Sequence, residues 1–312
     1  MTNRIPVVCN TYQNHTLDST RWAKYLPRPD DIVVATAGKS GTTWVQIIVM
    51  HLIFQDMQVR PIDEISPWFE VRFRDFDEIL STLERQRHRR VIKTHLPLDG
   101  LPYHEQVKYI VVGRDALDVF MSWWNFYGGF DDEVYENING RWAGTPMPRC
   151  PDNIHEFWRD WIGKGWFDWE TEGYPFWSNL RHMQTWWDFK HLPNILFVHF
   201  SDLLSGLETE IQRIADFLAI DLAPDMRSRI AGAVTFNAVK QNGDQLGRSG
   251  GFFHEGTNGR WRSVLSHQEL KHYREAADRE LSPDCAYWLE NGRLHRDGVM
   301  PAPAPPAALA PK

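Results

Sequence analysis

Residues 31–44 read Asp-Ile-Val-Val-Ala-Thr-Ala-Gly-Lys-Ser-Gly-Thr-Thr-Trp, and this stretch decides the fold class. An apolar, largely β-branched run from Ile32 to Ala35 breaks into a loop of small residues that carries one lysine, Lys39. The loop leads into an apolar run, Trp44 to Phe54, that has the character of a helix. Where a strand meets a helix in this way, backbone N–H groups and the helix dipole converge on one point, and a lysine adds a full positive charge. The stretch predicts an α/β protein with an anion site at this loop.

The loop contains Gly38-Lys39-Ser40 but is not a Walker A loop. That motif has a glycine five residues before its second glycine, and this position is Val33, inside the predicted strand. A lysine in an ordinary strand-to-helix turn is the alternative interpretation. Gly41 and the two threonines that follow it favour anion binding over that alternative.

The composition is typical of a globular protein, with 312 residues, 42% hydrophobic and 24% charged. The formal net charge of -7 argues against general nucleic-acid binding, which requires a basic surface. The three cysteines are widely spaced and predict neither a disulfide framework nor a metal site. We find no signal-peptide pattern and no apolar segment of membrane-spanning length, so we expect a cytoplasmic protein without a membrane span.

Three further apolar runs, at residues 91–94, 108–112 and 194–199, predict buried strands. Helical patterns alternate with them, which indicates a three-layer α/β fold with a central parallel sheet flanked by helices. The predicted helices cover residues 117–126, 154–164, 177–190, 208–218, 225–234 and 267–281.

We expect a single domain at residues 1–297 and a disordered tail at 298–312, which is rich in proline and alanine. From about 127 to 180 the chain departs from the α/β pattern, because aromatic residues are mixed with Gly, Pro and Asp. Most of these rings are expected to hold this insertion against the domain. A few are expected to line an apolar pocket for an acceptor molecule.

Two more groups of polar residues follow predicted strands. Lys93-Thr94-His95 comes at the end of the second strand, and Arg114 directly follows the third, with Ser122 two helical turns later. Ligands of open parallel sheets bind beyond the carboxyl ends of the strands, so these side chains and Lys39 are expected to share one crevice. A neutral histidine there is a candidate general base. Arg114 either grips a terminal phosphate or pairs with a nearby carboxylate such as Asp115.

These motifs, in this order, resemble those of the cytosolic-type sulfotransferases, which transfer a sulfuryl group from 3′-phosphoadenosine 5′-phosphosulfate (PAPS). The resemblance runs from Tyr25 to Trp261 and implies the P-loop-NTPase-like sulfotransferase fold. It implies that His95 is the catalytic base and that Lys39 and Lys93 assist it. The implied PAPS-binding residues are Lys39, Ser40, Gly41, Thr42, Thr43, Trp44, Arg114, Ser122, Phe236, His254 and Gly256. The implied acceptor-binding residues are Trp68, Phe69 and Phe126.

The chain also departs from the family pattern. Gly38 stands where the family usually has proline, and Phe200 where it commonly has tyrosine. The late motif, usually Arg-Lys-Gly and then Gly-Asp-Trp-Lys, is here His254-Glu255-Gly256 and then Gly259-Arg260-Trp261-Arg262. Losing Arg-Lys weakens the grip on the 3′-phosphate unless Arg248, Arg260 or Arg262 compensates. The family's C-terminal dimerisation pattern is largely absent, which leaves a homodimer of that kind open.

The resulting hypothesis is an in-line transfer of a sulfuryl group to a hydroxyl of a small molecule: a phenol, an alcohol, a lipid or a glycoside. Positioning and charge stabilisation would supply most of the rate, with no metal required. One alternative is a P-loop kinase or NTPase. It is disfavoured because Val33 stands where the Walker A motif requires its first glycine. Another is a binding module without activity, which the intact lysines and histidine disfavour.

Overall fold

The structure is a computed structural model that describes residues 4–248 and 256–292. Within these residues, four parallel strands form the central sheet: β1 (Ile32–Thr36), β2 (Val91–Thr94), β3 (Lys108–Gly113) and β4 (Ile195–His199). The strand order is β2-β1-β3-β4. Because β1 has neighbours on both sides, its residues are all buried, which agrees with its unbroken apolar sequence.

Helices connect the strands and surround the sheet. Their bounds are α1 (Thr42–Phe54), α2 (Ile62–Ile65), α3 (Phe76–Arg85), α4 (Ala116–Tyr127), α5 (Asp132–Asn139), α6 (Ile154–Gly163), α7 (Leu180–Trp187), α8 (Phe200–Ser205), α9 (Leu207–Phe217), α10 (Pro224–Ala233), α11 (Phe236–Gln241), α12 (His267–Glu280) and α13 (Pro283–Asn291). Short 3₁₀ turns cover Ser19–Lys24, Leu98–Gly100 and Arg260–Ser263.

The sheet is covered on both faces because successive strand residues point in opposite directions. Val33 and Ala35 of β1 belong to a core shared with α4, α6, α7, α12 and α13. Ile32 and Val34 belong to a second core shared with α1, α9 and α10. The predicted three-layer α/β fold is confirmed.

Helices α2, α3, α11 and α13 were not predicted, and two further differences concern α7 and α5. The helix expected at 177–190 is shorter, since α7 begins at Leu180. The buried carboxylate of Glu172 accepts the backbone N–H groups of Asn179 and Leu180, at 3.2 and 2.9 Å, and so fixes where the helix starts. Helix α5 was not predicted, and it lies inside the aromatic insertion. The expected tail at 298–312 lies outside the described residues. In the part of the chain that is described, none of the helices has the length and apolar character needed to cross a membrane.

Candidate active site

A cavity of about 650 Å³ lies beyond the carboxyl ends of β1, β2 and β3. One part of its wall consists of the ends of these strands and the loops that follow them, and it carries the cationic side chains Lys39, Lys93 and Arg114. The other part consists of aromatic and aliphatic side chains. The imidazole of His95 also lines the cavity. The structure thus brings together Lys39, Lys93, His95 and Arg114, which come from three separate sequence motifs.

The loop between β1 and α1 has the backbone form of an anion site. Gly41 has a φ of 104°, and a side chain at this position would lie 2.9 Å from the ring of Phe200. Because Gly41 is also the N-cap residue of α1, it has no side chain to bond the first N–H groups of the helix, as an aspartate or serine would. The hydroxyl of Thr42 lies 2.6 Å from that of Thr36, which ties the helix start to the end of β1.

The two lysines of the cavity lie over aromatic rings. The Nζ atom of Lys39 is 3.9 Å from the centre of the Phe126 ring, and that of Lys93 is 4.3 Å from the centre of the Trp68 ring. Burial lowers the pKa of Lys39 to about 7, and the positive charges of Arg114 and Lys93 add to this effect. Burial likewise lowers the pKa of Lys93 to about 7. A bound anion would reverse these shifts, because it favours the charged form of each lysine.

The geometry of His95 assigns different roles to its two ring nitrogens. Its Nδ1 lies 2.8 Å from the carbonyl oxygen of Thr36, and a carbonyl can only accept, so Nδ1 carries the proton. The lone pair of the neutral ring is therefore on Nε2. Burial lowers the pKa of His95 well below 6.5, and the nearby charge of Lys93 lowers it further. The ring is consequently neutral near pH 7 and able to take up a proton.

Glu70 fixes the surroundings of this histidine, and the sequence did not single it out. Its buried carboxylate accepts the backbone N–H of His95 at 2.7 Å and the indole N–H groups of Trp68 and Trp22 at 2.6 and 3.0 Å. Trp68 in turn meets the imidazole edge-on, with ring centres 4.8 Å apart. Trp177 lies on another side, at 5.2 Å. In the sequence, the only signal for this role is an acidic residue directly after the aromatic pair Trp68-Phe69.

Arg114 is 6% exposed and is held by the late part of the chain. Its guanidinium donates to the carbonyls of Lys39 and Thr257, at 3.2 and 3.3 Å, and to the Oδ1 atom of Asn258 at 3.0 Å. Burial is the main reason that its pKa falls to about 10, so it remains charged. Asp115 caps α4 by accepting the N–H of Leu117, and its charge acts on Arg114 from close by.

A group of rings lies near the start of α1 on the same wall. The indole of Trp44 donates to the carbonyl of Val234 at 2.7 Å and meets Phe200 edge-on at 5.4 Å. Phe236 packs against Gly256 so closely that a side chain on this glycine would lie 2.5 Å from the ring. Trp44, Phe200, Phe236 and Gly256 all line the cavity, as does Ser122.

The apolar part of the wall comes mostly from the insertion. It is formed by rings and aliphatic side chains from the segment between α2 and α3, from α4 and α5, and from the loops that follow them: Trp68, Phe73, Trp123, Phe126, Phe130, Val134, Ile138, Met147, Phe176 and Trp177. The expectation that part of the segment 127–180 lines a pocket agrees with this placement.

Three of the predicted site residues do not line the cavity or lie outside the described ranges. Ser40 is buried within its loop. Phe69 is fully buried in the core against Trp22, because residues 67–69 run alongside β2 and alternate residues face opposite ways. Phe69 therefore belongs to the core and not to the acceptor site, which corrects the sequence-based expectation. His254 lies outside the described residues.

Comparisons with known proteins agree with this geometry. The family model described as the sulfotransferase domain matches residues 29–283. The chain belongs to the sulfotransferase family. A glycolipid sulfotransferase of Mycobacterium tuberculosis is 29% identical over 95% of this chain and 97% of its own length. Human sulfotransferase 1E1 is 28% identical over 70% of this chain and 69% of its own.

Solved structures show the same fold at lower sequence identity. Mouse sulfotransferase SULT7A1 complexed with PAP matches with a TM-score of 0.65 and 21% identity, over 86% of this chain and 91% of that one. A retinol dehydratase in complex with androsterone and inactive cofactor PAP matches with a TM-score of 0.63 and 22% identity, over 85% and 84%. The family and fold that the sequence motifs predicted are confirmed.

The structure explains one departure of this sulfotransferase from its family. Gly38 lies directly against the indole of Trp123, and a side chain at position 38 would overlap that ring. The indole also stacks on Phe176, with ring centres 3.7 Å apart. The space that a proline would need is thus filled by a ring that lines the cavity.

Among residues 4–248 and 256–292, no group of three or more His, Cys, Asp or Glu side chains is placed to hold a metal ion. The cationic side chains of the wall carry charge that can balance that of an anionic substrate.

Proposed function

We propose that this sulfotransferase moves a sulfuryl group from PAPS to the hydroxyl of a small, largely apolar acceptor. One observation carries the proposal. His95, with its lone pair on Nε2, lines the cavity where the cationic wall meets the aromatic wall. A base at this junction can serve an acceptor hydroxyl on one side and an anionic donor on the other.

The cationic wall fits the donor. The loop from Gly38 to Thr43 offers backbone N–H groups at the start of α1, and Lys39 adds a positive charge. Arg114 offers a second cationic site at the end of β3. A nucleotide with phosphate groups at both its 3′ and 5′ positions requires two such sites, and the rings of Trp44 and Phe236 suit its base.

The reaction is a substitution at sulfur. The acceptor oxygen forms a bond to sulfur while the bond between sulfur and the phosphate oxygen breaks, and the electron pair of that bond leaves with 3′-phosphoadenosine 5′-phosphate (PAP). His95 takes the hydroxyl proton on Nε2. Lys39 and Lys93 stabilise the charge on the oxygens around sulfur, which is the kind of preorganised electrostatic help that usually dominates such transfers.

The acceptor is proposed from the apolar wall. Rings of Phe73, Phe130 and Phe176 favour a hydroxyl carried by an apolar skeleton, such as a phenol, an alcohol or a lipid. The mycobacterial relative is a glycolipid sulfotransferase, and tryptophan rings also stack on sugars, so a glycoside belongs to the same proposal. A cytoplasmic location and a homodimer stay predictions.

A transfer assay tests the proposal. Purified protein with radiolabelled PAPS should label phenols, fatty alcohols and glycolipids to different extents, and omitting the protein should abolish labelling. Calorimetry should detect binding of PAP and no comparable binding of ATP with Mg²⁺. Tight ATP–Mg²⁺ binding without PAP binding would support the kinase alternative. PAP binding without transfer to any acceptor class would support a binding module.

A further inference from the structure

The late part of the chain forms a lining around Arg114. Thr257 and Asn258 accept hydrogen bonds from its guanidinium. The next residue, Gly259, has a φ of 83° and donates its N–H to Oδ1 of Asp118 at 2.6 Å. These bonds fix the start of the turn Arg260–Ser263 beside the cavity. The turn therefore has a defined position next to the cationic site of Arg114.

Only one of the three arginines considered from the sequence lines the cavity within the described residues. Arg248 is engaged elsewhere, because its guanidinium donates to both carboxylate oxygens of Asp63, at 2.6 and 3.0 Å. Arg262 is exposed and lies over the Trp261 ring at 4.4 Å. Arg260 is half-buried and belongs to the cavity wall together with Arg114.

The charges near this wall favour an anion between the two arginines. Burial lowers the pKa of Arg114 most, and the charge of Arg260 lowers it further, so the two guanidinium groups lie close together. Asp118 lies close to both arginines and accepts the N–H of Gly259, and Asp115 lies close to Arg114. Both guanidinium charges would favour a phosphate placed between them, and the planar guanidinium group matches the geometry of phosphate oxygens.

We propose that Arg260 is a second arginine ligand of the 3′-phosphate of PAPS. The family places this charge on the Arg-Lys pair before Gly256, where this chain has His254-Glu255, and it usually has aspartate at the position of Arg260. The positive charge has moved along the sequence to the turn that the structure places beside Arg114. This inference rests on the proposed function, because it assumes that the nucleotide of PAPS occupies the cationic wall.

The test compares two nucleotides that differ only in the 3′-phosphate, namely PAP and adenosine 5′-monophosphate. Their dissociation constants are measured by calorimetry for the unmodified protein, for Arg260→Gln and for the matched control Arg262→Gln. Arg260→Gln should weaken PAP binding about 10-fold to 100-fold, the range for a lost charge-assisted hydrogen bond, and leave adenosine 5′-monophosphate binding unchanged. Arg262→Gln should change neither constant.

Each further outcome has a distinct meaning. If Arg260→Gln weakened the binding of PAP and of adenosine 5′-monophosphate equally, the assignment of Arg260 to the 3′-phosphate would be overturned. The same holds if Arg262→Gln weakened PAP binding as much as Arg260→Gln does. Arg260→Lys, which keeps the charge, should recover part of the preference for PAP, and no recovery would count against the proposal. If the unmodified protein binds neither nucleotide, the proposed function itself fails.

Discussion

The two walls of the cavity are built in different ways. On the cationic wall, Lys39, Lys93 and Arg114 each lie within three residues of a strand end, so the sheet alone brings them together. On the aromatic wall, Trp68, Phe130 and Phe176 come from separate segments between the strands, and long-range packing brings them together. The comparison teaches that the sheet fixes where charge is placed, while the insertion determines what fits beside it.

His95 is the residue at which both walls meet, so its loss should have the largest effect. We expect His95→Ala to lower turnover about 10²-fold to 10⁴-fold, because a general base contributes this much. PAP binding should stay unchanged, because it depends on the cationic wall. Rapid-quench kinetics with labelled PAPS and calorimetry with PAP measure the two quantities.

Two results would contradict this expectation. Unchanged turnover would show that another group takes the proton. A parallel loss of PAP affinity would show that His95 supports the cationic wall instead of the chemistry. His95→Gln, which keeps a polar side chain of similar length, should remain as slow as His95→Ala.

Gly38 and Trp123 test whether the two walls are independent. We expect Gly38→Ala to lower the free energy of unfolding by about 1–3 kcal/mol, the usual range for inserting atoms into a packed site, since the new methyl group would overlap the Trp123 indole. Urea denaturation measures this change. The double variant Gly38→Ala with Trp123→Leu should lose less free energy of unfolding than the sum of the losses in the two single variants.

A coupling energy of about 0.5–3 kcal/mol is typical for residues in contact. Strict additivity of Gly38→Ala and Trp123→Leu would mean that the loop and the aromatic wall do not constrain each other. The double variant also tests why this chain has Gly38 where the family usually has proline, because the smaller side chain at position 123 leaves room for a side chain at position 38.

The sequence allowed the cationic wall to be predicted almost residue by residue, because a strand end is visible as a change from apolar to small or polar residues. It did not show that Phe69 faces the core while Trp68 faces the cavity, since this alternation depends on how residues 67–69 lie beside β2. The contact between Gly38 and Trp123 was equally invisible. Such contacts join residues far apart in sequence, and no local pattern encodes them.

The pH dependence of nucleotide binding addresses the cationic wall alone. The pKa values of Lys39 and Lys93 are lowered to about 7 by burial, and a bound anion raises them. PAP affinity should therefore be higher at pH 7 than at pH 8 or 9. It should fall as pH rises above about 7 toward the raised pKa values, by up to about tenfold per pH unit for each lysine.

Calorimetry in buffers of different ionisation enthalpy measures this effect as proton uptake at pH 8. Lys39→Met should bind PAP more weakly but with a shallower pH dependence, because one titrating group is gone. Proton release on binding, or an affinity that is flat between pH 7 and 9, would show that the lysines are not in contact with the nucleotide.

The smallest effect is expected on the aromatic wall, at Phe130. Its ring is half-buried, lines the cavity and contacts Phe126 edge-on at 5.0 Å. Phe130→Ala should weaken the binding of an apolar acceptor by about 1 kcal/mol, which raises its KM roughly fivefold. The effect is small because only part of the ring area is buried. The dissociation constant of PAP should not change, since the cationic wall is built by the sheet.

Leu80, a partly buried side chain of the same core on α3, provides the control variant Leu80→Ala. If Phe130→Ala weakened the binding of PAP as much as the binding of the acceptor, the two walls would form one cooperative unit. Their different origins in the fold would then have no counterpart in function.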